Sequence, residues 1–106
     1  MSLDIILTID GEEVFSRNIT HNLNTMANAA GVYKHLWRPE ELGVTKASEL
    51  IQPLRDGYAE LRAHPEKYKQ YDSPNGWGVY RHFVEFVFAV LRACEEYPEA
   101  AVEACR

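Results

Sequence analysis

The chain has 106 residues, 46% apolar and 25% charged, with 16 acidic side chains against 11 basic ones and a formal charge of −5. That length suits one domain over residues 1–106 with a modest core, and the apolar content excludes a disordered chain. Net negative charge disfavours a phosphate backbone, no run approaches the ~18 apolar residues of a membrane span, and no secretory signal is visible; neither nucleic acid nor membrane is an expected partner, and the cytosol is the expected compartment.

Leu3, Ile5, Leu7 and Ile9 alternate with Asp4, Thr8 and Asp10, broken only by Ile6, and this period of two predicts a strand. Asp10-Gly11 supplies the two φ > 0 positions of a tight hairpin turn, and Val14–Ile19 is the returning strand. A two-residue turn sets Leu7 opposite Val14, Ile6 opposite Phe15, and Asp4 opposite Arg17. An isolated hairpin is marginal in water, so a third strand or a helical cover is required.

Thr20 or Asn18 is placed to cap a helix carrying Leu23, Met26, Ala27 and Ala30, with Gly31 as its stop. Val32–Trp37 adds a turn or two before Pro39. Thr45 or Ser48 is placed to cap a second helix with Leu50, Ile51, Leu54, Tyr58 and Leu61 as its stripe; Pro53 is expected to kink or split it. His64-Pro65 ends that helix, Glu66–Tyr71 adds a short turn, and 72–76 is a loop that offers Ser73 or Asn75 as a cap for the third helix. That helix has the clearest period, with Tyr80, Phe83, Val84, Val87, Val90, Leu91 and Cys94 on one stripe. Val79, Phe86 and Phe88 broaden it, so it is expected to touch both the sheet and the other helices. After Pro98, Ala101–Cys105 alternates weakly and predicts a third strand beside the hairpin. The fold class is therefore α+β: an N-terminal hairpin and a C-terminal third strand, antiparallel, packed against about three helices. Cys94 and Cys105 are too few for a disulfide framework and are read as small buried or half-buried thiols.

Three blocks concentrate polar and aromatic chemistry. The first runs through His21, Asn22 and Asn24 at a helix start, with His21, Asn24, Thr25 and Asn28 on one face. Unpartnered backbone N–H groups plus neutral polar side chains suit a polar or anionic ligand, and a histidine there can act as a base; the plainer account is capping and a solvated face. The second is Leu36-Trp37-Arg38-Pro39, where Trp37 offers a flat surface and Arg38 a planar charge; core packing and a surface ion pair are the plainer account. The third is Ser73-Pro74-Asn75-Gly76-Trp77-Gly78, in which two glycines let the backbone turn sharply around Trp77; a tight turn with Trp77 plugging the core is the plainer account. The four histidines form no metal-binding pair, and His82 with Glu85 is only half of a carboxylate site. No metal and no cofactor is expected. No nucleophile or acid partner accompanies His21, so no catalytic residue is assigned, which argues against an enzyme.

Ile19-Thr20-His21-Asn22-Leu23, Met26-Ala27, Leu36-Trp37-Arg38-Pro39 and Ser73-Pro74-Asn75-Gly76-Trp77-Gly78 together resemble a family of small uncharacterised proteins of phages, prophages and bacteria. The likeness continues through Phe83, Phe86, Leu91, Ala93-Cys94 and Tyr97-Pro98 and spans nearly the whole chain. It implies an origin and no mechanism. Two functions remain. One is a site for a small polar ligand, built from His21, Asn22, Asn24, Trp37, Arg38, Asn75 and Trp77. The other is a module that binds a host or partner protein through exposed aromatics such as Trp37, Tyr68 and Tyr71. All three blocks serving only the fold is the third account.

Overall fold

The computed structural model describes residues 2–106. Strand β1 (Ser2–Ile9) turns at Asp10 and Gly11, both at positive φ, into β2 (Glu12–Thr20). A short 3-10 turn (His21–Leu23) leads to α1 (Asn24–Ala29) and, past Gly31 at φ +80°, to α2 (Tyr33–Trp37). A second 3-10 turn (Pro39–Leu42) precedes α3 (Ser48–Ala63), α4 (Pro65–Lys69), α5 (Tyr80–Glu96) and β3 (Ala101–Cys105). The class is α+β, with five helices rather than about three, because α1, α2 and α4 are each only one or two turns long.

The sheet has the order β2-β1-β3, both pairings antiparallel, so β1 is central. Leu3, Ile5 and Leu7 are fully buried against the helices. The hairpin register differs from expectation. Thr8 lies opposite Glu13, but Leu7 lies opposite Phe15, which leaves Val14 as an extra residue in β2. This bulge shifts every later pair by one: Ile6 faces Ser16, Ile5 faces Arg17, and Asp4 faces Asn18 instead of Arg17. Asn18 Nδ2 donates to Asp4 Oδ1 at 2.8 Å, and Arg17 moves to the face that carries Ile5.

Helix α5 buries Phe83, Phe86, Val87, Val90, Leu91 and Cys94, and packs against α3 and β2. Phe88 stays 46% exposed, its ring centroid 5.4 Å from that of Tyr58. Pro53 does not split α3. It removes one bond, the one the Glu49 carbonyl would accept, and Glu49 is an exposed residue of the helix's first turn, so the loss falls near the helix end and not in its buried middle. The expected caps are replaced. Thr20 stands at the N-cap position of the first turn, but its side chain makes no capping hydrogen bond, and Asn18 bonds to Asp4 instead. At α3, neither Thr45 nor Ser48 is the cap; Glu49 Oε1 reaches back to accept from the N–H groups of Thr45 and Lys46 at 3.1 and 3.0 Å. At α5, Asp72 Oδ1 accepts the Tyr80 N–H at 2.6 Å, and Ser73 and Asn75 are used elsewhere.

Both free edges of a three-stranded sheet are open to pairing. The β3 edge is covered by residues 45–47: Lys46 bridges Ala101, and the Val102 N–H donates to the Thr45 carbonyl at 3.1 Å. Among the described residues, the β2 edge has no strand beside it. No helix among the described residues is long and apolar enough to cross a membrane.

Candidate functional site

The three polar and aromatic blocks meet at the 3-10 turn that follows β2, but neighbouring side chains there look in opposite directions. His21 turns inward. Its Nδ1 accepts the Trp37 Nε1–H at 3.2 Å, and the Asn24 amide lies 2.9 Å from its Nε2. Indole nitrogen can only donate, so Nδ1 is the acceptor and the proton sits on Nε2. The Asn24 amide oxygen is therefore the group that accepts from Nε2–H. Both ring nitrogens are occupied, and His21 is a brace between elements, with no nitrogen free to act as a base.

Trp37 is fully buried, with Tyr33 stacked on it at 5.6 Å between ring centroids and 16° between planes. It cannot stack on a ligand or anchor a partner, which corrects both expectations placed on it. Arg38 is tied down beside it: Nε donates to the Tyr33 hydroxyl at 3.1 Å, and the guanidinium pairs with Glu41 at 3.3 Å. The Tyr33 contact, then Glu41, raises its pKa further. Tyr68 is buried and Tyr71 half-buried, so neither is the exposed anchor expected. Cys94 is buried, and that burial, with Glu95 adding to it, pushes its thiol up to about 12, out of the range of a nucleophile.

Asn22 turns outward. Its Nδ2 donates to the Trp77 carbonyl at 3.2 Å. Trp77 is 68% exposed, the opposite of a core plug. Its loop is fastened on every side. The Ser73 N–H donates to the Gly78 carbonyl at 3.0 Å, and the Gly76 N–H donates to the Ser73 carbonyl at 3.0 Å. Asn75 Oδ1 accepts the Trp77 N–H at 2.9 Å and the Ser73 hydroxyl. Gly78, at φ +97°, lies so close to the 3-10 turn that a Cβ there would sit 2.9 Å from Thr20 Cγ2 and 3.1 Å from Leu23 Cγ. The backbone of Trp77 is thus held by its N–H and its carbonyl, while its side chain faces water. Leaving that indole two-thirds exposed forgoes roughly 3 kcal/mol of burial.

Beside Trp77 lies an open groove of about 410 Å³. Its walls are Arg17–Thr20 of β2, the loop Asn75–Gly78, and the α5 face bearing His82, Glu85 and Phe86. Alternate residues of a strand point to opposite faces, so four consecutive residues bordering one groove place it along the strand edge. A second concavity of about 280 Å³, lined by Arg62, Tyr80, Arg81, Val84 and Glu85, adjoins the first at Glu85.

Of the seven residues singled out from sequence, Asn75 and Trp77 border this groove, and Asn22 supports it from behind. His21, Asn24, Trp37 and Arg38 form a separate brace with Tyr33, and Asn24 also borders a shallow concavity of about 280 Å³ with Thr25, Asn28 and Tyr33. Sequence reasoning missed Arg17, Arg62, Arg81 and Phe86 as site residues. No local signal could have found Arg17, because nothing in the sequence marks the Val14 bulge that separates it from Asp4. Among the described residues, no three His, Cys, Asp or Glu side chains gather where a metal could be held. Comparison of the chain with known protein families, curated proteins and solved structures gives no match.

Proposed function

We propose that this chain is a protein-interaction module and that the Trp77 groove is its binding surface. The observation that carries the reading is Trp77 itself: 68% exposed on a loop whose backbone is hydrogen-bonded on both sides. A rigid exposed indole supplies binding area with little conformational entropy left to lose. The resemblance to small phage and prophage proteins fits a partner supplied by a bacterial host. The ligand-site alternative loses its stacking platform in Trp37 and its base in His21, both committed to the internal brace.

The test is capture from a bacterial lysate on immobilised protein, comparing wild type with Trp77→Ala and Phe88→Ala. Trp77→Ala is expected to keep the melting temperature nearly unchanged, since surface substitutions away from special features fall within about ±0.5 kcal/mol. It should weaken a specific partner by about 2 kcal/mol or more, the range of interface hot spots. Phe88→Ala, on another face against Tyr58, should leave capture intact. A partner held equally by Trp77→Ala refutes the reading. No partner, together with a melting shift from a small polar ligand that Trp77→Ala abolishes, replaces it with a ligand site.

A further inference from the structure

Eight of the 11 lysines and arginines have an acidic side chain within 4 Å. Among the described residues the three without one are Arg17, Arg62 and Arg81. Arg17 borders the Trp77 groove, and Arg62 and Arg81 border the concavity that adjoins it. Only one carboxylate, Glu85, stands among them. In a chain of net charge −5, the unpaired cations therefore share one side, next to the open edge of β2.

We propose that the groove takes an extended acidic peptide segment of a partner protein, added as a fourth strand along Ser16–Thr20 of β2. This rests on the reading of the groove as an interaction surface and names its occupant. Strand addition satisfies the backbone groups of the exposed edge, and alternate side chains of the guest supply the specificity. Carboxylates on the guest meet Arg17 at the strand and Arg62 and Arg81 beyond Glu85, while Trp77 covers an apolar side chain. The segment past the bulge is the part of β2 able to accept such a strand. Toward the turn, Val14 breaks the ladder, and Glu12 and Glu13 would repel an acidic guest. A second copy of this chain is a poor occupant. Antiparallel pairing of two Ser16–Thr20 segments centred on Asn18 would set each Arg17 opposite Ile19 of the other copy and the two Arg17 side chains on one face as diagonal neighbours about 7–8 Å apart, with no carboxylate between them.

The test pans random peptides of about nine residues, within ordinary strand length, against the whole protein. Enriched sequences are expected to carry an excess of Asp and Glu. Arg17→Ala and Arg81→Ala are exposed and otherwise unbonded, so they fold normally, and each should weaken a selected peptide roughly threefold to fivefold. Trp77→Ala should weaken it about thirtyfold. N-methylation of alternate peptide nitrogens should abolish binding in one phase and be tolerated in the other, because only every second residue donates to β2. Enriched peptides without acidic bias, or indifference to both arginine variants, overturn the acidic occupant. Equal tolerance of N-methylation in both phases overturns strand addition. Failure to enrich any peptide overturns the proposal while Trp77-dependent capture of a folded protein leaves the interaction module standing; loss of both removes the two together. Dimerisation that Arg17→Ala strengthens assigns the edge to a second copy and overturns the peptide.

Discussion

Gly78→Ala separates the two ways in which a glycine holds the Trp77 loop in place. Its φ of +97° lies in the left-handed region, which costs an L-residue roughly 1–2 kcal/mol. The added Cβ would also sit 2.9 Å from Thr20 Cγ2 and 3.1 Å from Leu23 Cγ. Neither atom is the end of a long flexible chain, and Leu23 is fully buried, so relief requires the loop and the 3-10 turn to move apart. Overpacking of this kind costs about 1–3 kcal/mol. The sum is about 3 kcal/mol, which for a domain of this size lowers the melting temperature on the order of 15 °C. Gly76→Ala is the matched control. Its φ of +79° carries the conformational cost, but nothing lies within 4 Å of a Cβ there. It should lower the melting temperature by only about 5–10 °C. Thr20→Ser deletes the methyl that the new Cβ would strike, so a double-mutant cycle between positions 20 and 78 should return about 1 kcal/mol. Thermal and urea unfolding of the variants provide the measurement. Equal melting of Gly78→Ala and Gly76→Ala, or no coupling to Thr20→Ser, would refute the close contact between loop and turn.

Trp37→Phe keeps the stacking on Tyr33 but strips the half-buried His21 Nδ1 of its donor, so urea unfolding should record a loss of about 1–3 kcal/mol. Gly57→Ala sets a helix-propensity gain of about 1 kcal/mol against a Cβ 2.5 Å from Cγ1 of the buried Val32, whose branched side chain turns with difficulty. A net loss near ~1 kcal/mol, converted to a gain by Val32→Ala in the same chain relative to Val32→Ala alone, is the expected outcome. The pair Glu60 and Tyr68 predicts two limbs in a stability-versus-pH curve. The Tyr68 hydroxyl, 2.9 Å from Glu60 Oε1, and then Lys67 and His64, hold the Glu60 carboxyl below its ordinary value. Its contribution is complete above about 4.3, the unfolded value, and lost as pH falls through the folded one. Burial, then Glu60, pushes the Tyr68 hydroxyl up to about 12, so its contribution is complete below about 10 and fades as pH rises toward 12. Tyr68→Phe should flatten both limbs in urea titrations, and unchanged slopes would refute the pairing.

The regular elements were legible because each rests on a period that burial enforces. Leu3, Ile5 and Leu7 have one face to bury, Asp10-Gly11 has the torsions its turn demands, and the stripe of α5 repeats along its length. Where a choice depended on one residue against its neighbours, the pattern was silent. Counting back from the turn gives the simple hairpin pairs, and nothing in Glu13-Val14-Phe15 marks Val14 as the residue left out of the ladder. Residue type alone points the caps to Thr, Ser and Asn at the right places in the chain. Glu49 and Asp72 take those roles from farther away, because a carboxylate accepts more strongly than a hydroxyl or an amide and both reach across a loop.

The two tryptophans show why half of the site was hidden. Both sit in short motifs rich in Pro, Gly, Asn or Arg, and composition treats them alike. Their fates differ because Trp37 ends a helical turn whose preceding residue, Leu36, is also buried, so an element carries it into the core. Trp77 has no element. A glycine at positive φ stands on each side of it, and a residue so flanked belongs to neither a helical nor a strand period that could turn it inward. The sign was therefore present in Gly76-Trp77-Gly78, and it pointed outward. Arg17 needed more than its own neighbourhood. It lies free only because the Val14 bulge hands Asp4 to Asn18, a pairing 14 residues apart that single-sequence patterning does not fix. One residue left out of the ladder thus sets both the bent, guarded end of β2 and the exposed cation at its open end. Deleting Val14 should join Glu13 to Phe15 in a regular ladder that keeps Asp4 opposite Asn18 and Arg17 opposite Ile5, so peptide binding that depends on Arg17 should survive the deletion; its loss would refute the assignment of Val14 as the extra residue.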